Sequence, residues 1–397
     1  MKVCDLTQFH SPVSGGVKRY VAEKVRCLQA LQAGHEHVLV IPGAEDGCTT
    51  RAPGVREYTV RSPIISHASQ YRMLLRLPEV TLILERERPE IIESADPYQL
   101  GWQAVRVGAV LRTPVVGFYH SHFPETYLRG AERFLGHRAT EMLLRAAQRY
   151  VRRLYNRFAY TCVPSPVLAE TLRSWGVERV VPVDLGVDEK VFQPTAAPGE
   201  TASVRQELGL AASARLLLYV GRLAGEKNTH TLFAAFQELA AREPQAHLLV
   251  IGDGLQRTEL QTLRSALPPE RVHWLPYCKE PAQLAQYYRA AEFLVHPGLQ
   301  ETFGLVTVEA QACGTRVLGF QGTLMDRLIY FGLEGWATGR TAAGLAHALA
   351  RALHQPQPYD RAALGRAIAA RYSWGAVCQR LFDLYREAIA EYQYHHP

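Results

Sequence analysis

The chain has 397 residues, 47% of them hydrophobic, enough to bury more than one core, and lengths above roughly 250 to 300 residues usually split into domains. Its seven cysteines (Cys4, Cys27, Cys48, Cys162, Cys278, Cys313, Cys378) are odd in number and never spaced C-x-x-C, which argues against a disulfide framework or zinc ribbon and for a reducing cytoplasm. The formal charge of +6 suits an anionic partner (phosphorylated substrate, acidic membrane or nucleic acid), and it is carried mostly by arginine, since lysine occurs only at 2, 18, 24, 190, 227 and 279.

The opening MKVCDLTQFH has no long apolar run and reads as a first strand, not a signal peptide. Nowhere does an apolar run approach the roughly 18 residues of a spanning helix, so a soluble protein, at most one resting on a membrane surface, is expected. In SPVSGGVK (11–18), Gly15 and Gly16 permit a tight turn and close approach of backbone to a ligand, and Val17 begins a helix. The spacing is not G-x-G-x-x-G, which disfavours a nicotinamide dehydrogenase. Continuous apolar runs at 37–41, 114–119, 160–163, 215–220, 247–251, 293–296 and 316–320 alternate with longer helix-like segments. Strands buried on both faces of a parallel sheet have this appearance, and the α/β pattern occurs twice.

In VVGFYHSHFPETY (115–127) a buried strand ends at His120 and His122. No cysteine or close acidic residue completes a metal set, so one histidine is a candidate to hydrogen-bond a sugar, or both are simply satisfied at a strand end. Between 129 and 157 stand Arg129, Arg133, Arg138, Arg145, Arg149, Arg152, Arg153 and Arg157 against Glu132 and Glu141, with Met142, Ala146, Tyr150 and Leu154 at helical spacing. A basic stripe of this kind suits a helix lying on an anionic membrane, and equally a solvated helix in an arginine-rich protein. The segment 194–203 (PTAAPGETAS) lacks large apolar residues and is read as the boundary between the two copies.

LLYVGRLAGEKN (217–228) is a buried strand followed by Arg222 and Lys227 around a turn containing Gly225. At the carboxyl end of a parallel strand two such cations can neutralise a pyrophosphate, or remain ordinary surface charges. In GLQETFGLVTVEAQACG (298–314) a turn over 300–304 precedes a helix from Leu305 to Cys313 that Gly314 ends. Backbone N–H groups at Phe303, Gly304 and Leu305 would then point from a helix N-terminus towards a phosphate. Glu301 precedes that site and Glu309 lies about one turn inside the helix, so one carboxylate can bind sugar hydroxyls and the other a ribose; otherwise Glu301 complements the helix dipole and Glu309 is solvated. From Ser373, a plausible N-cap, Val377, Leu381, Leu384, Tyr385 and Ile389 mark one closing amphipathic helix. The chain contains no D-x-D tripeptide, no G-x-x-x-x-G-K-[ST] loop and no G-x-S-x-G elbow, which leaves diphosphate binding without a metal and without an organic cofactor.

In this order the motifs resemble family 4 of the retaining glycosyltransferases (glycosyl transferases group 1), which have the GT-B fold of two Rossmann-like domains with a cleft between them. Gly-Gly-Val at 15–17 is similar to the family's glycine loop, LGVDEKVFQP (185–194) to its segment before the second domain, GRLAGEKN (221–228) to its phosphate loop, ETFGLVTVE (301–309) to its paired-glutamate motif, and SWGAVCQRLFDLY (373–385) to its closing helix. The resemblance implies an acceptor-binding domain over 1–190, a nucleotide-sugar domain over 191–375 and a helix over 376–397 packing back on the first. It implies catalytic roles for Glu301, Lys227, Arg222 and His120. Glu301 and His120 would meet the sugar, Glu309 the ribose, Arg222 and Lys227 the diphosphate, and Gly15 and Gly16 the phosphate region, with Phe303, Gly304 and Leu305 completing the donor site. The expected reaction is hexose transfer, with retention and without metal, from a UDP- or GDP-hexose to a lipid or glycan acceptor; a soluble small-molecule acceptor, or a nucleotide-sugar epimerase on the same fold, is the alternative. Base recognition is expected near Tyr277 to Lys279. Around 118–124 the chain is similar to lipid-directed mannosyl- and sulfoquinovosyl-transferring members, but HSHFP puts His122 where those have an aspartate. The partners implied are donor, acceptor and an anionic membrane surface, not nucleic acid, with a cytoplasmic or inner-face peripheral location.

Overall fold

The computed structural model describes the chain apart from residues 11–15, 32–33, 67–70, 121, 125–135, 255, 266, 268, 300, 324, 326, 330–336, 338, 355–358 and 396–397. It divides into two compact units, Met1–Leu185 with Trp374–Pro397, and Gly186–Ser373.

The first unit is built on β1 (Lys2–Leu6), β2 (Glu36–Gly43), β3 (Gly47–Ala52), β4 (Val55–Arg61), β7 (Ile91–Ser94), β8 (Val115–Phe118), β9 (Tyr160–Val163) and β10 (Val180–Pro182), with β5 (Ile64–Ser66) and β6 (Tyr71–Arg72) as a separate pair. The sheet order is β10-β9-β8-β7-β1-β2-β4-β3, parallel throughout except for the β3–β4 hairpin. From β1 the chain winds one way through β2 and β4 and the other way through β7 to β10, so the loops after β1 and β7 flank the point where open α/β sheets bind ligands. Its helices are α1 (Gly16–Ala30), α2 (Leu77–Glu87), α3 (Gln99–Leu111), α4 (His137–Tyr155) and α5 (Pro166–Ser174). The buried line of α1, Tyr20, Val21, Lys24 and Leu28, follows helical spacing but places a lysine in the middle of its apolar stripe.

The buried line of α4 is Thr140, Leu144, Val151, Leu154 and Tyr155, which corrects the stripe read from Met142, Ala146 and Tyr150. Met142 (71% exposed) and Ala146 lie outward among the exposed Arg138, Arg145 and Arg149. Periodicity alone did not choose between these faces, because apolar residues occur on both. Arg129, Arg133 and Glu132 lie outside the described residues.

The second unit carries β11 (Arg215–Val220), β12 (Ala246–Ile251), β13 (Val272–Leu275), β14 (Phe293–His296) and β15 (Arg316–Gly319), all parallel, in the order β13-β12-β11-β14-β15. Its helices are α6 (Glu200–Glu207), α7 (Thr229–Arg242), α8 (Arg257–Arg264), α9 (Pro281–Ala290), α10 (Leu305–Ala312), α11 (Ala342–His354) and α12 (Arg361–Tyr372). Leu217, Leu248, Val250, Phe293 and Val295 form one core with Phe233 and Phe236 of α7 and Leu345 and Leu349 of α11. The last helix, α13 (Trp374–His395), groups with the first unit and packs on α1. The division falls at Leu185/Gly186, ahead of residue 190. The segment 194–203 belongs wholly to the second unit: Glu200 pairs with Arg289 of α9 (2.5 and 2.9 Å), and the Gln193 carbonyl accepts from Arg289 (3.2 Å). A low-apolar stretch is thus held by charge where no large side chain is present to bury.

Candidate active site

In the second unit the switch point lies between β11 and β14, and the loops that follow these two strands carry the charged residues. After β11 the chain makes a single 3-10 turn over Gly225–Lys227 and passes through Asn228 in the left-handed region (φ 53°), a conformation that asparagine tolerates better than most residues. Asn228 Nδ2 donates to the Pro297 carbonyl (3.1 Å), tying the β11 loop to the β14 loop. Gly252, after β12, packs so close to the first residue beyond β11 that a Cβ there would lie 2.0 Å from the Gly221 carbonyl oxygen.

After β14 the chain returns through Glu301 to α10. Lys227 Nζ donates to Glu301 Oε1, joining residues 74 apart in sequence, and His296 Nε2 lies 3.6 Å from the same oxygen. Burial alone would raise the Glu301 carboxyl, but Lys227 and His296 hold it well below the usual carboxylate range. Gly304 enters α10 at φ 89°, a left-handed conformation that favours glycine, and a Cβ there would have to displace the Met325 side chain, whose Sδ lies 2.6 Å away. Among the described residues no acceptor meets the N–H groups of Phe303, Gly304 or Leu305, as expected at a helix start. Phe303 is buried edge-on to Tyr372, 5.9 Å between ring centroids, which fixes the entry to the helix.

The remaining expected residues are more dispersed. Arg222 is exposed and pairs with Glu226 (2.8 Å). Glu309 is buried and accepts from the Tyr288 hydroxyl (3.0 Å), which removes the reading of it as solvated. Tyr277 to Lys279 follow the edge strand β13. Gly15 lies outside the described residues, and Gly16 is the first residue of α1, where a Cβ would meet nothing within 4 Å among them. His120 belongs to the first unit, following β8; its ring stacks on Phe118 (4.0 Å between centroids, 7° between planes) and meets Tyr20 edge-on (4.9 Å). Burial, with the nearby Lys24 charge, pushes His120 down to about 3, so the ring is neutral at physiological pH. His122 diverges from it, stacking on Trp175 (5.3 Å) with Nδ1 3.3 Å from the Tyr119 hydroxyl. Among the described residues no three His, Cys, Asp or Glu side chains converge as a metal site. Sequence reasoning assigned nothing to His296, Asn228 or Tyr288. A polar residue ending an apolar strand was the only available signal for His296.

Two mainly parallel α/β sheets on one chain, the second with a lysine–carboxylate pair and a helix start at its switch point, are the architecture of the GT-B class. Residues 14–191 match Glycosyltransferase Family 4, and residues 200–369 match Glycosyl transferases group 1. A GDP-mannose-dependent alpha-mannosyltransferase of Corynebacterium glutamicum is 28% identical over 98% of this chain and 90% of its own length. A D-inositol 3-phosphate glycosyltransferase of Segniliparus rotundus is 35% identical over 53% of the chain; there the chain spans about half (48%) of the relative's length. Among solved structures, sucrose-phosphate synthase from Thermosynechococcus elongatus superposes with a TM-score of 0.77 over 98% of this chain and 99% of that one, a likeness of fold at 23% identity. The chain belongs to the GT-B glycosyltransferases, with a family 4 domain followed by a group 1 domain.

Proposed function

We propose that the protein moves a hexose from a UDP- or GDP-hexose to a lipid or glycan acceptor, with retention of anomeric configuration and without a metal ion. The first unit would take the acceptor and the second the donor. The observation that carries this reading is the Lys227–Glu301 pair beside the open N–H groups of Phe303, Gly304 and Leu305. Lys227 and Arg222 hold the diphosphate with those N–H groups, Glu301 takes sugar hydroxyls, Glu309 the ribose, Gly15 and Gly16 the phosphate region, and His120 the sugar. Negative charge grows on the diphosphate as the glycosidic bond breaks, so fixed cations and N–H dipoles act most strongly at that moment. The acceptor enters on the face the diphosphate leaves, and the departing phosphate takes the acceptor's proton; unlike a retaining glycosidase, the chain needs no carboxylate nucleophile for this course.

The mannosyltransferase relative supports GDP-mannose as the first donor to try. The outward arginines of α4, with Met142 and Leu143 exposed among them, support an anionic membrane surface as partner and a peripheral place on the inner face. A second acceptor class, a soluble phosphorylated polyol, is supported by the relative named for inositol 3-phosphate. The test is a thermal-shift series with UDP, GDP and their hexoses, followed by transfer in excess chelator and assignment of the product anomer by NMR. A nucleotide at a hundred times its dissociation constant stabilises by roughly 2.7 kcal/mol. A protein that neither UDP nor GDP stabilises, or a product of inverted configuration, refutes the reading.

A further inference from the structure

Behind His120 the first unit holds a charged cluster with no exposed member. Lys24, wholly buried on α1, donates from Nζ to Asp5 Oδ1 on β1 (2.6 Å), to Glu93 Oε1 on β7 (2.8 Å) and to the Tyr385 hydroxyl on α13 (3.2 Å). His37 Nε2 donates to Asp5 Oδ2 (2.7 Å), and Tyr385 donates to Glu93 Oε2. Tyr20, one turn before Lys24, donates to that same Glu93 oxygen (2.9 Å). Burial alone would lower Lys24, but Asp5 and Glu93 raise it, so the ammonium is retained. Taking a lysine and two carboxylates out of water is costly, and a stripe made apolar at position 24 would hold α1 to the sheet without that cost. The cluster is therefore explained by what it holds, and what it holds is Tyr20. The Tyr20 ring lies under Lys24 Nζ (4.6 Å from the centroid) and against Phe118 (4.8 Å) and His120 (4.9 Å). His120 is thereby clamped between two rings, with its Nε2 closed off from solvent and without a hydrogen-bond partner among the described residues.

We propose that Tyr20 is a positioning residue for His120: anchored by Lys24 and Glu93, and through them by Tyr385 of α13, it fixes the imidazole for sugar transfer, so that the C-terminal helix acts on the reaction. The inference rests on the reading of His120 as a sugar-contacting residue. An aromatic ring held from behind by ionic hydrogen bonds has one orientation, whereas a ring held by packing alone can slide, and a misplacement of about 1 Å at a reacting centre can cost on the order of a hundredfold in rate.

The experiment is a double-mutant cycle of Tyr20→Phe, which keeps the ring and removes its anchor, with His120→Ala, read as kcat and KM for transfer, together with the imidazole resonances of His120 in the unliganded full-length protein. Tyr20→Phe is expected to lower kcat about tenfold with the donor KM unchanged, and to move the His120 resonances; in the His120→Ala background it is expected to cost nothing further. Tyr385→Phe, two steps removed from His120, is expected to act in the same direction by about threefold. An equal cost of Tyr20→Phe in both backgrounds, or unmoved His120 resonances, overturns the inference and leaves the reading of His120 standing. Undiminished transfer by His120→Ala overturns both.

Discussion

Lys227 and Lys24 are two of only six lysines in the chain, and they meet their carboxylates in opposite settings. Lys227 stands on a loop, its side chain 23% exposed, against the single carboxylate of Glu301; Lys24 stands on a helix, fully buried, between Asp5 and Glu93 with two tyrosine hydroxyls in reach. A cation with one partner on a loop can exchange that partner for a phosphate at little cost, since both states leave it paired. A cation locked among regular elements has nothing to exchange, and its contribution is to orientation. On the proposed reading, the same chemical pair serves binding in one unit and architecture in the other.

The largest effect expected from breaking this contrast is on stability. Lys24→Met leaves Asp5 and Glu93 buried without their cation, and removing one partner of a buried pair typically costs about 3–5 kcal/mol. In urea unfolding of the full chain, the transition of the first unit is expected to move strongly to lower denaturant, while nucleotide still protects the second. A Lys24→Met protein as stable as wild type removes the contrast. Lys227→Ala is the counterpart: turnover is expected to fall roughly 10²- to 10³-fold, the range for losing a preorganised group that meets developing charge, with a small change in thermal midpoint because its surroundings are partly solvated. A Lys227→Ala enzyme with ordinary turnover contradicts the assignment of the loop to the diphosphate.

Two carboxylates sharpen the comparison through pH. Glu301, with the Lys227 ammonium and the His296 ring beside it, is held below the usual range, so its contribution to stability is present above its unfolded value and is lost only as pH falls through the lowered one. Asp96, buried after β7, accepts from the Tyr98 N–H (2.7 Å) but has no cation among its perturbing groups, and burial pushes it up to about 7. A raised carboxyl has the opposite sign: its contribution is full below the unfolded value near 4 and disappears as pH rises through about 7. Asp96→Asn is therefore expected to remove a decline on the order of 2–4 kcal/mol between pH 4 and 7 in wild-type stability, measured by denaturant unfolding at stepped pH. Equal slopes for the two proteins would show that Asp96 is ionised throughout this window.

What was legible in the chain follows from the same physics. Strands buried on both faces are continuous apolar runs, so 160–163, 215–220 and 293–296 coincide with β9, β11 and β14 to the residue. The loops at their carboxyl ends were legible as well, because glycines and charges there interrupt otherwise apolar text. The hairpin strand β3 was not: GCTTRA is almost wholly exposed and has no apolar alternation to announce it. Nor was the cluster around Lys24, since Asp5, Lys24 and Glu93 come from three distant segments and each, taken singly, reads as a solvated charge. Pairing in space is what makes a buried charge tolerable, and a single sequence does not record it.

The smallest expected effect concerns the outward face of α4, which contrasts with both lysine sites in having exposed arginines for which no ion pair is seen among the described residues. Arg138, Arg145 and Arg149 follow one another at helical spacing on the exposed side, with Met142 between them, whereas the stem of Arg152 lies against Gly176, so replacing it would disturb packing. No helix among the described residues is long and apolar enough to cross a membrane. A basic side chain near an anionic leaflet contributes about 1 kcal/mol, and the attraction is screened over a Debye length of about 10 Å at 0.1 M salt. Reversing Arg138, Arg145 and Arg149 to glutamate should therefore abolish pelleting with anionic phospholipid vesicles at low salt. Binding of UDP or GDP should stay unchanged, because these residues belong to a different unit from Lys227 and Glu301. Wild-type pelleting should itself fade as salt rises, since three exposed charges are screened far more readily than a buried pair. If wild-type protein ignores anionic vesicles even at low salt, the stripe is a solvated face, and a soluble glycan or small-molecule acceptor becomes the better reading.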